Sequence, residues 1–420
     1  MKHYDIIVVG GGFAGVSAAI ASARAGKAVL LIEKYNCLGG AAAYDLVNPF
    51  MPYWTRKKET KEKIYLSRGL FSEIVARLKE MNGFSENSEQ RFNEEILKLV
   101  LNRMALESGV ELLFQTNVIG VQKHGKKILS LQIFNVGGQA EVSADYYIDA
   151  TGDANLSMLC GYDFHLGRKS DNLCQPMTLC FRLGGVDMEK YKEIKPTITP
   201  LYKKLRAEGK ISNPREDVLV FYTVAKDILH FNSTRVIKLN PTDAEEVTKA
   251  EIMAREQVFE LIDFLKTNFD AFQDAILLST GIQIGVRESR MVDGLYTLTQ
   301  EDLLACTKFE DGIAACNYDI DIHSPDGSGT SHYYFPEEAY YTIPYRCLVP
   351  KDSENVLVAG RCVSATHEAQ ASLRIMPTCS NLGEAAGLAA ALACETGVNV
   401  GEIDTKILRE RLRVCGALVD

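Results

Sequence analysis

The stretch GRCVSATHEAQASLRIMPTCSNLG, residues 360–383, places two arginines, a histidine, two cysteines and a proline in one segment that reads as a loop running into a helix. A histidine exchanges a proton near neutral pH, and an arginine grips a carboxylate through two parallel hydrogen bonds. The same residue types recur in ILHFNSTR with His230, GVRESR with Arg287 and Arg290, DIDIHSPDG with His323, and IPYRCLVP with Tyr345 and Arg346. From these, His367, His323, Arg287, Arg374 and Tyr345 are the expected catalytic groups. Tyr345 would serve as a hydrogen-bond donor or an aromatic wall. The arginines would bind a carboxylate or a polyhydroxylated ligand, or pair with Glu288, Glu368 and other acids. Within GVRESR, one arginine is expected to hold an interdomain salt bridge and the other to face the cavity.

A second motif opens the chain. In DIIVVGGGFAGVSAAIASARAGKAVLLIEK the apolar run Ile6 to Val9 precedes Gly10, Gly12 and Gly15, a small-residue helix follows, and a second apolar run from Ala28 to Ile32 ends at Glu33. Gly10 permits a tight turn, Gly12 lets backbone amides approach a pyrophosphate, and Gly15 lets the helix pack on the strand. The helix N-terminus adds partial positive charge for the phosphates. Glu33 is placed to accept hydrogen bonds from an adenosine ribose, and it disfavours the 2'-phosphate of NADP. The motif predicts a dinucleotide but does not choose which one.

Several elements must position these groups. A mostly polar stretch from Asn48 to Ser88, holding Trp54 and an amphipathic helix around Leu70 to Met81, reads as an excursion from the sheet. Helical spacing at Ile96, Leu99, Val100 and Met104 follows, then a strand, an antiparallel meander turning near Gly125 and Gly137, and a return strand ending at Thr151. Such a meander is unusual for NAD dehydrogenases. Strands and loops fill 161–349, interrupted by one long helix from a capping box at Thr242 and Glu245 to Phe269, with Ile252, Val258, Phe259, Ile262 and Leu265 as its apolar face. NVLVAGRC predicts a buried strand ending at Gly360. SNLGEAAGLAAALACE predicts a small-residue helix pressed against a sheet or a ligand.

Together these motifs resemble the FAD-dependent oxidoreductases of the glutathione-reductase-like structural class, close to fumarate reductase flavoproteins and the heterodisulfide reductase flavin subunit. The matching pieces are VVGGGFAGVSAAIASARAG with Glu33, CLGG at 37–40, DATGDANLS at 149–157, PMTLCFRLGGVD at 176–187, GVRESR at 285–290, IPYRCLVP at 343–350 and LVAGRCVSATHEAQASLRIMPTCSNLGEAAG at 357–387. They span nearly the whole chain in order. The resemblance implies that Gly10, Gly12, Phe13, Ala14, Gly15, Glu33 and Lys34 hold the ADP half of FAD, and that Gly39 and Gly40 line the path to the flavin. It implies that the backbone of Val118 meets adenine, and that Ala150, Thr151, Gly152 and Asp153 cover the pyrophosphate and ribitol. Gly360, Arg361 and a helix start at Asn381, Leu382 and Gly383 would face the ribityl chain and pyrimidine ring, where a helix N-terminus favours negative charge. GGAAAYDL lacks the histidine that fumarate reductase flavoproteins often bond covalently to FAD, so FAD is expected to be noncovalent. Cys37 lacks the partner of a CxxxxC disulfide, and the iron-sulfur cysteines of the heterodisulfide reductase subunit are missing.

The implied fold class is α/β: a Rossmann-like FAD-binding domain with an inserted antiparallel meander, plus an α+β substrate or cap domain. The expected division is 1–160 with 350–420, including a helical excursion at about 48–90, against 161–349. A net charge of −9 gives no basic field for nucleic acid or anionic lipid, and the start of the chain lacks the pattern of a secretory signal. Eleven cysteines, an odd number without a CxxC pair, read as reduced, buried residues of a cytoplasmic protein, and no metal-ligand spacing is present. The expected activity is hydride transfer between a small polar substrate and noncovalent FAD, with an unidentified electron acceptor or donor and with room for a homo-oligomer. The alternatives are a flavin-bearing electron-transfer subunit of a larger redox complex and an NAD-dependent dehydrogenase.

Overall fold

The run from Ile6 to Val9 has no polar residue to turn toward water, so it must be covered on both faces. In the computed structural model, which describes residues 1–86, 88–327 and 329–420, it forms the end of β1 (Lys2–Val9), with Ile6, Ile7 and Val8 fully buried. After α1 (Phe13–Arg24), β2 (Val29–Ile32) lies parallel to β1. The chain passes through α2 (Leu70–Glu80) and α3 (Glu94–Glu107) to β3 (Glu111–Leu113), parallel to β2. β4 (Asn117–His124), β5 (Lys127–Asn135) and β6 (Gly138–Asp149) make the antiparallel meander, and β6 continues alongside β1 in parallel.

A second sheet is built from β7 (Phe181–Gly184), β8 (Val220–Tyr222), β9 (Leu229–Phe231) and β10 (Ile276–Thr280), in the order β8-β9-β7-β10. Two helices, α4 (Met188–Ala207) and α5 (Ala244–Asn268), contribute to its core. A hairpin of β11 (Ile320–His323) and β12 (Thr330–Tyr333) follows. β13 (Val356–Val358) then returns to the first sheet, parallel to β6, before α6 (Met376–Thr396). The first sheet therefore reads β3-β2-β1-β6-β5-β4, with β13 also on β6. Residues between Val292 and Val349 bury their apolar side chains in the core of this first sheet, whereas the second core draws on Met177 to Ile284.

Several expectations are corrected. A second long helix, α4, forms despite Pro196 and Pro200, because burial of Tyr191, Ile198 and Tyr202 outweighs the lost backbone bonds. The cap of α5 is Asp243, whose carboxylate accepts from the Glu245 and Glu246 amides at 2.9 and 3.0 Å. Its buried face includes Ala250, Ala254, Val258, Leu261, Phe264 and Leu265, while Ile252 and Phe259 are exposed. Two alanines let the helix approach the sheet along a stripe rotated from the bulky residues. Leu99 of α3 is likewise exposed, and Leu97 and Leu101 take the core face. The 48–90 excursion packs back on the body of the fold: Phe50 stacks on Phe92 at 4.2 Å and meets Phe13 edge-on at 5.6 Å.

The small residues of α6 press it against α1 as well as against the first sheet. A Cβ at Gly383 would stand 1.9 Å from the Ala14 carbonyl oxygen, and one at Gly387 would stand 2.3 Å from that of Ala18. The hydroxyls of Ser17 and Ser380 meet at 2.7 Å, and Ser22 donates to the Gly387 carbonyl at 3.1 Å. Gly383→Ala is expected to cost about 2 kcal/mol or more through overpacking. Gly401→Ala, whose nearest neighbour would lie at 3.6 Å, should stay within about 0.5 kcal/mol of wild type in the same urea unfolding series.

Candidate active site

The turn after β1 needs a residue without a side chain. Gly10 has φ +104°, and a Cβ there would lie 2.4 Å from the Ala150 carbonyl oxygen. That turn forms one wall of a cleft. The structure brings Gly10, Gly12, Phe13, Ala14, Glu33, Lys34, Gly39, Gly40, Ala150, Thr151, Gly152, Asp153, Gly360 and Arg361 together around it. Glu33 is buried, and its carboxylate accepts from the Gly11 amide at 2.5 Å and the Tyr35 amide at 2.9 Å. Burial raises its pKa, against the pull of those two amides. Arg361 reaches over Gly152 and donates to Asp153 at 2.7 Å, and Ser289 donates to the same carboxylate at 2.7 Å.

Gly15, Val118, Asn381, Leu382 and Gly383 do not line this cleft. Gly15 instead seats α1 on the turn, since a Cβ there would lie 1.7 Å from the Gly10 carbonyl oxygen. Val118 pairs with Ile133 in the meander. The helix expected to start at Asn381 starts at Met376, with Pro377 in its first turn, where a missing N–H costs nothing. Met376 and Cys379 therefore occupy the cleft positions foreseen for residues 381–383. Burial pushes the Cys379 thiol up to about 12, so it stays protonated and inert as a nucleophile.

A second cavity, of about 1370 Å³, shares Ala41, Asp45, Arg361, Arg374 and Met376 with the first. Arg287 and His323 line it together with Arg374. His323 is buried, and its Nδ1 accepts a hydrogen bond from Arg235 Nη2 at 3.1 Å. That bond reserves Nδ1 as an acceptor, leaving Nε2 to carry the proton 3.4 Å from Asp321 Oδ1. Burial and the nearby Arg287 charge push the His323 pKa down to about 3, so the ring is neutral at pH 7. Burial alone would raise the Asp321 carboxyl, but His323, Arg374 and His332 outweigh it and keep the group ionised.

Other expected groups lie elsewhere. His367 lines neither cavity, because its Nδ1 is bonded to the fully buried Glu288 at 2.8 Å. Tyr345 is buried and donates to the Val400 carbonyl at 2.7 Å. His230 packs between strands with neither ring nitrogen bonded, and burial pushes its pKa down to about 3. Arg346 pairs with Asp311 at 3.0 Å, and Arg290 donates to the Asp153 carbonyl at 3.0 Å. Within GVRESR, Arg287 thus faces the cavity while Arg290 ties two segments together.

Sequence reasoning missed Asp45, Arg215 and Asp321. The alternation in DIDIH carried a signal, since residues two apart on a strand share a face. Asp45 and Arg215 sit in irregular connections with no such pattern. Asp45 accepts from Gln283 Nε2 at 2.9 Å, and burial pushes its pKa up to about 7. An unfolded aspartate ionises near pH 4, so the folded state keeps a proton that the unfolded state loses, and the cost to folding grows from about pH 4 to about pH 7. Asp45→Asn should therefore gain about 2 kcal/mol or more relative to wild type at pH 8, and little of that at pH 4, in paired denaturation curves.

No cluster of three or more His, Cys, Asp or Glu side chains able to hold a metal occurs among the described residues. No helix among them is long and apolar enough to cross a membrane. The sequence matches the family described as FAD dependent oxidoreductase over residues 5–412. A digeranylgeranylglycerophospholipid reductase of Methanoculleus marisnigri is 25% identical over 172 residues, covering 39% of this chain and 42% of that protein. A soluble pyridine nucleotide transhydrogenase of Mycobacterium bovis is 52% identical over 40 residues, covering 10% of this chain and 8% of that protein. The chain thus spans less than half the length of these curated relatives. A geranylgeranyl bacteriochlorophyll reductase-like protein from Thermoplasma acidophilum superposes with a TM-score of 0.47 at 12% identity, covering 100% of this chain and 93% of that one. A flavin-dependent brominase gives 0.47 at 14%, covering 98% and 83%. With the family match running across nearly the whole chain, the protein belongs to the FAD dependent oxidoreductase family, and it is an enzyme whose cofactor is FAD.

Proposed function

We propose that the first cleft holds FAD noncovalently and that the chain moves a hydride between it and a small polar substrate in the second cavity. The observation that carries this reading is the seam: Asp45, Arg361 and Arg374 border both spaces, so a substrate there adjoins the end of the cofactor cleft. The residues fit the cofactor. A Cβ at Gly40 would stand 2.8 Å from the Gly12 Cα, so a backbone cradle is kept clear where phosphates would lie. Arg361 Nε is buried without a partner among the described residues, leaving a donor for the cofactor.

FAD, when bound, supplies a ring that takes up or returns a hydride. Gly10, Gly12 and the amides opening α1 would hold the pyrophosphate, and Glu33 the adenosine ribose. Gly152, Asp153 and Arg361 would hold the ribityl side, and the start of α6 at Met376 would set a partial positive charge nearby. Asp45, at the seam and protonated up to about pH 7, is placed to give or take the proton that accompanies the hydride. His323, fixed as the neutral Nε2–H form, orients rather than ionises. Electrons would leave through, or arrive from, a separate acceptor or donor. An electron-transfer subunit would instead call for an apolar docking rim around the flavin, and guanidinium groups line the second cavity.

Anaerobic absorbance of the purified protein, titrated with a panel of hydroxy acids, sugars and amines, tests the reading. Bleaching of the flavin band by at least one compound is expected. Asp45→Asn should slow that bleaching about 10²-fold or more and remove its inflection near pH 7, with flavin content unchanged. A panel with no bleaching at all would contradict the reading and favour the electron-transfer subunit.

A further inference from the structure

Among the described residues, charges around the second cavity pair off except for Arg287 and for Asp45, whose carboxyl meets only Gln283 and is kept protonated up to about pH 7 by burial. Arg215 Nε donates to Asp217 at 2.9 Å, Arg235 lies 3.0 Å from Glu216, Arg361 donates to Asp153 at 2.7 Å, and Arg374 lies 3.6 Å from Asp321. Arg287 has no carboxylate partner among the described residues. Its Nη1 donates to the Pro176 carbonyl and the Thr178 hydroxyl, both at 2.6 Å, and its Nη2 donates to Asn232 at 3.3 Å. A half-buried cation met only by neutral acceptors is costly, and a protein retains one where an anion completes it. Burial first, then the nearby charges of Arg374 and Arg215, push its pKa down to about 9, so it still carries its charge at pH 7.

Arginines lining this cavity also carry nitrogens unpartnered among the described residues. Arg215 is only 3% exposed, and its Nη1 lies buried without a partner, as does Nε of Arg374. Both side chains line the cavity with Arg287. Much of the remaining lining is apolar: Val47, Pro49, Met51, Leu219, Phe221 and Ile375. A dicarboxylate would leave its second charge against these groups without a counter-ion. A neutral sugar would leave the surplus cation unmet.

We infer that the second cavity takes a monocarboxylate with an apolar or aromatic body, its carboxylate on Arg287 beside Arg215 and Arg374, and its body against Met51, Leu219 and Phe221. This names the substrate class of the site proposed above and rests on that reading for its place beside the cofactor. Charge selects one end of the ligand and burial of apolar surface selects the other.

Calorimetric titration of the FAD-loaded protein with benzoate, benzamide and succinate tests the inference, with the flavin absorbance followed in parallel. Benzoate should bind about 10- to 100-fold more tightly than benzamide, its neutral analogue, and more tightly than succinate. Arg287→Gln should erase the preference for benzoate over benzamide, Arg287→Lys should keep part of it, and Phe221→Ala should weaken benzoate without weakening acetate. Equal binding of benzoate and benzamide to the wild type, no binding of either, or tighter binding of succinate would overturn the inference. So would undiminished benzoate affinity in a folded Arg287→Gln. If that variant does not fold, the wild-type comparison and Arg374→Gln, expected to weaken benzoate more than benzamide, decide the matter. A benzoate failure in a protein that keeps its flavin overturns the anion site alone. Benzoate selectivity with no response of the flavin band would instead contradict the placement of the cavity beside the cofactor.

Discussion

The close contact between α1 and α6 is the constraint on which the rest of the structure depends. Gly383 and Gly387 lie against the carbonyls of Ala14 and Ala18, four residues apart on each helix, so the two helices run side by side in the same direction. Their N-termini therefore reach the same cleft, bringing Phe13 and Ala14 from the start of the chain beside Met376 and Cys379 from near its end. A larger residue at the contact would part the helices and the two walls of the cleft together. The aromatic packing of Phe50 on Phe13 steadies the same helix start from the other side. A cleft assembled from segments more than 350 residues apart in sequence thus rests on the absence of a few side chains.

Charge organises what lies beyond that cleft. Arg361 is matched to Asp153 and lines the first cleft, while Arg287 lacks a carboxylate partner among the described residues and lines the second cavity. Asp45 borders both spaces, and burial keeps its proton on near neutral pH. The cavity therefore grades from a neutral acid at the seam to an unmatched cation deeper in. His323 and Asp321 carry one fixed arrangement of protons rather than a titrating pair, because Arg235 occupies the only nitrogen that could accept a second proton. Such fixed dipoles suit orientation of a ligand, and the seam suits proton exchange.

Much of this was legible in the sequence where local physics dominates. The glycines after β1, the acid at the end of β2 and the turns of the meander each follow from a backbone requirement that few residues meet, and most of the residues these motifs single out line one cleft. What failed were judgements that depend on which face of an element meets which neighbour. Ile252 and Phe259 are as apolar as a core stripe requires, yet Ala250 and Ala254 decide the face that packs. His367 has the chemistry of a catalytic group, but Glu288 holds it inside the protein. The start of α6 falls at Met376 rather than at Asn381, because Pro377 occupies its first turn. Asp45 and Arg215 escaped because their roles arise from the meeting of two sheets, which no window of sequence contains.

The account stands or falls on FAD lying noncovalently in the cleft between β1, α1 and the start of α6. The most direct measurement is the flavin content of wild type and Gly40→Val, taken as chromophore released into solution after acid precipitation. The account predicts one FAD per wild-type chain, all of it released, and a folded but colourless variant, because a side chain at residue 40 enters the space beside Gly12. Full FAD content in the folded variant, or flavin that stays with the precipitated wild-type chain, would contradict it.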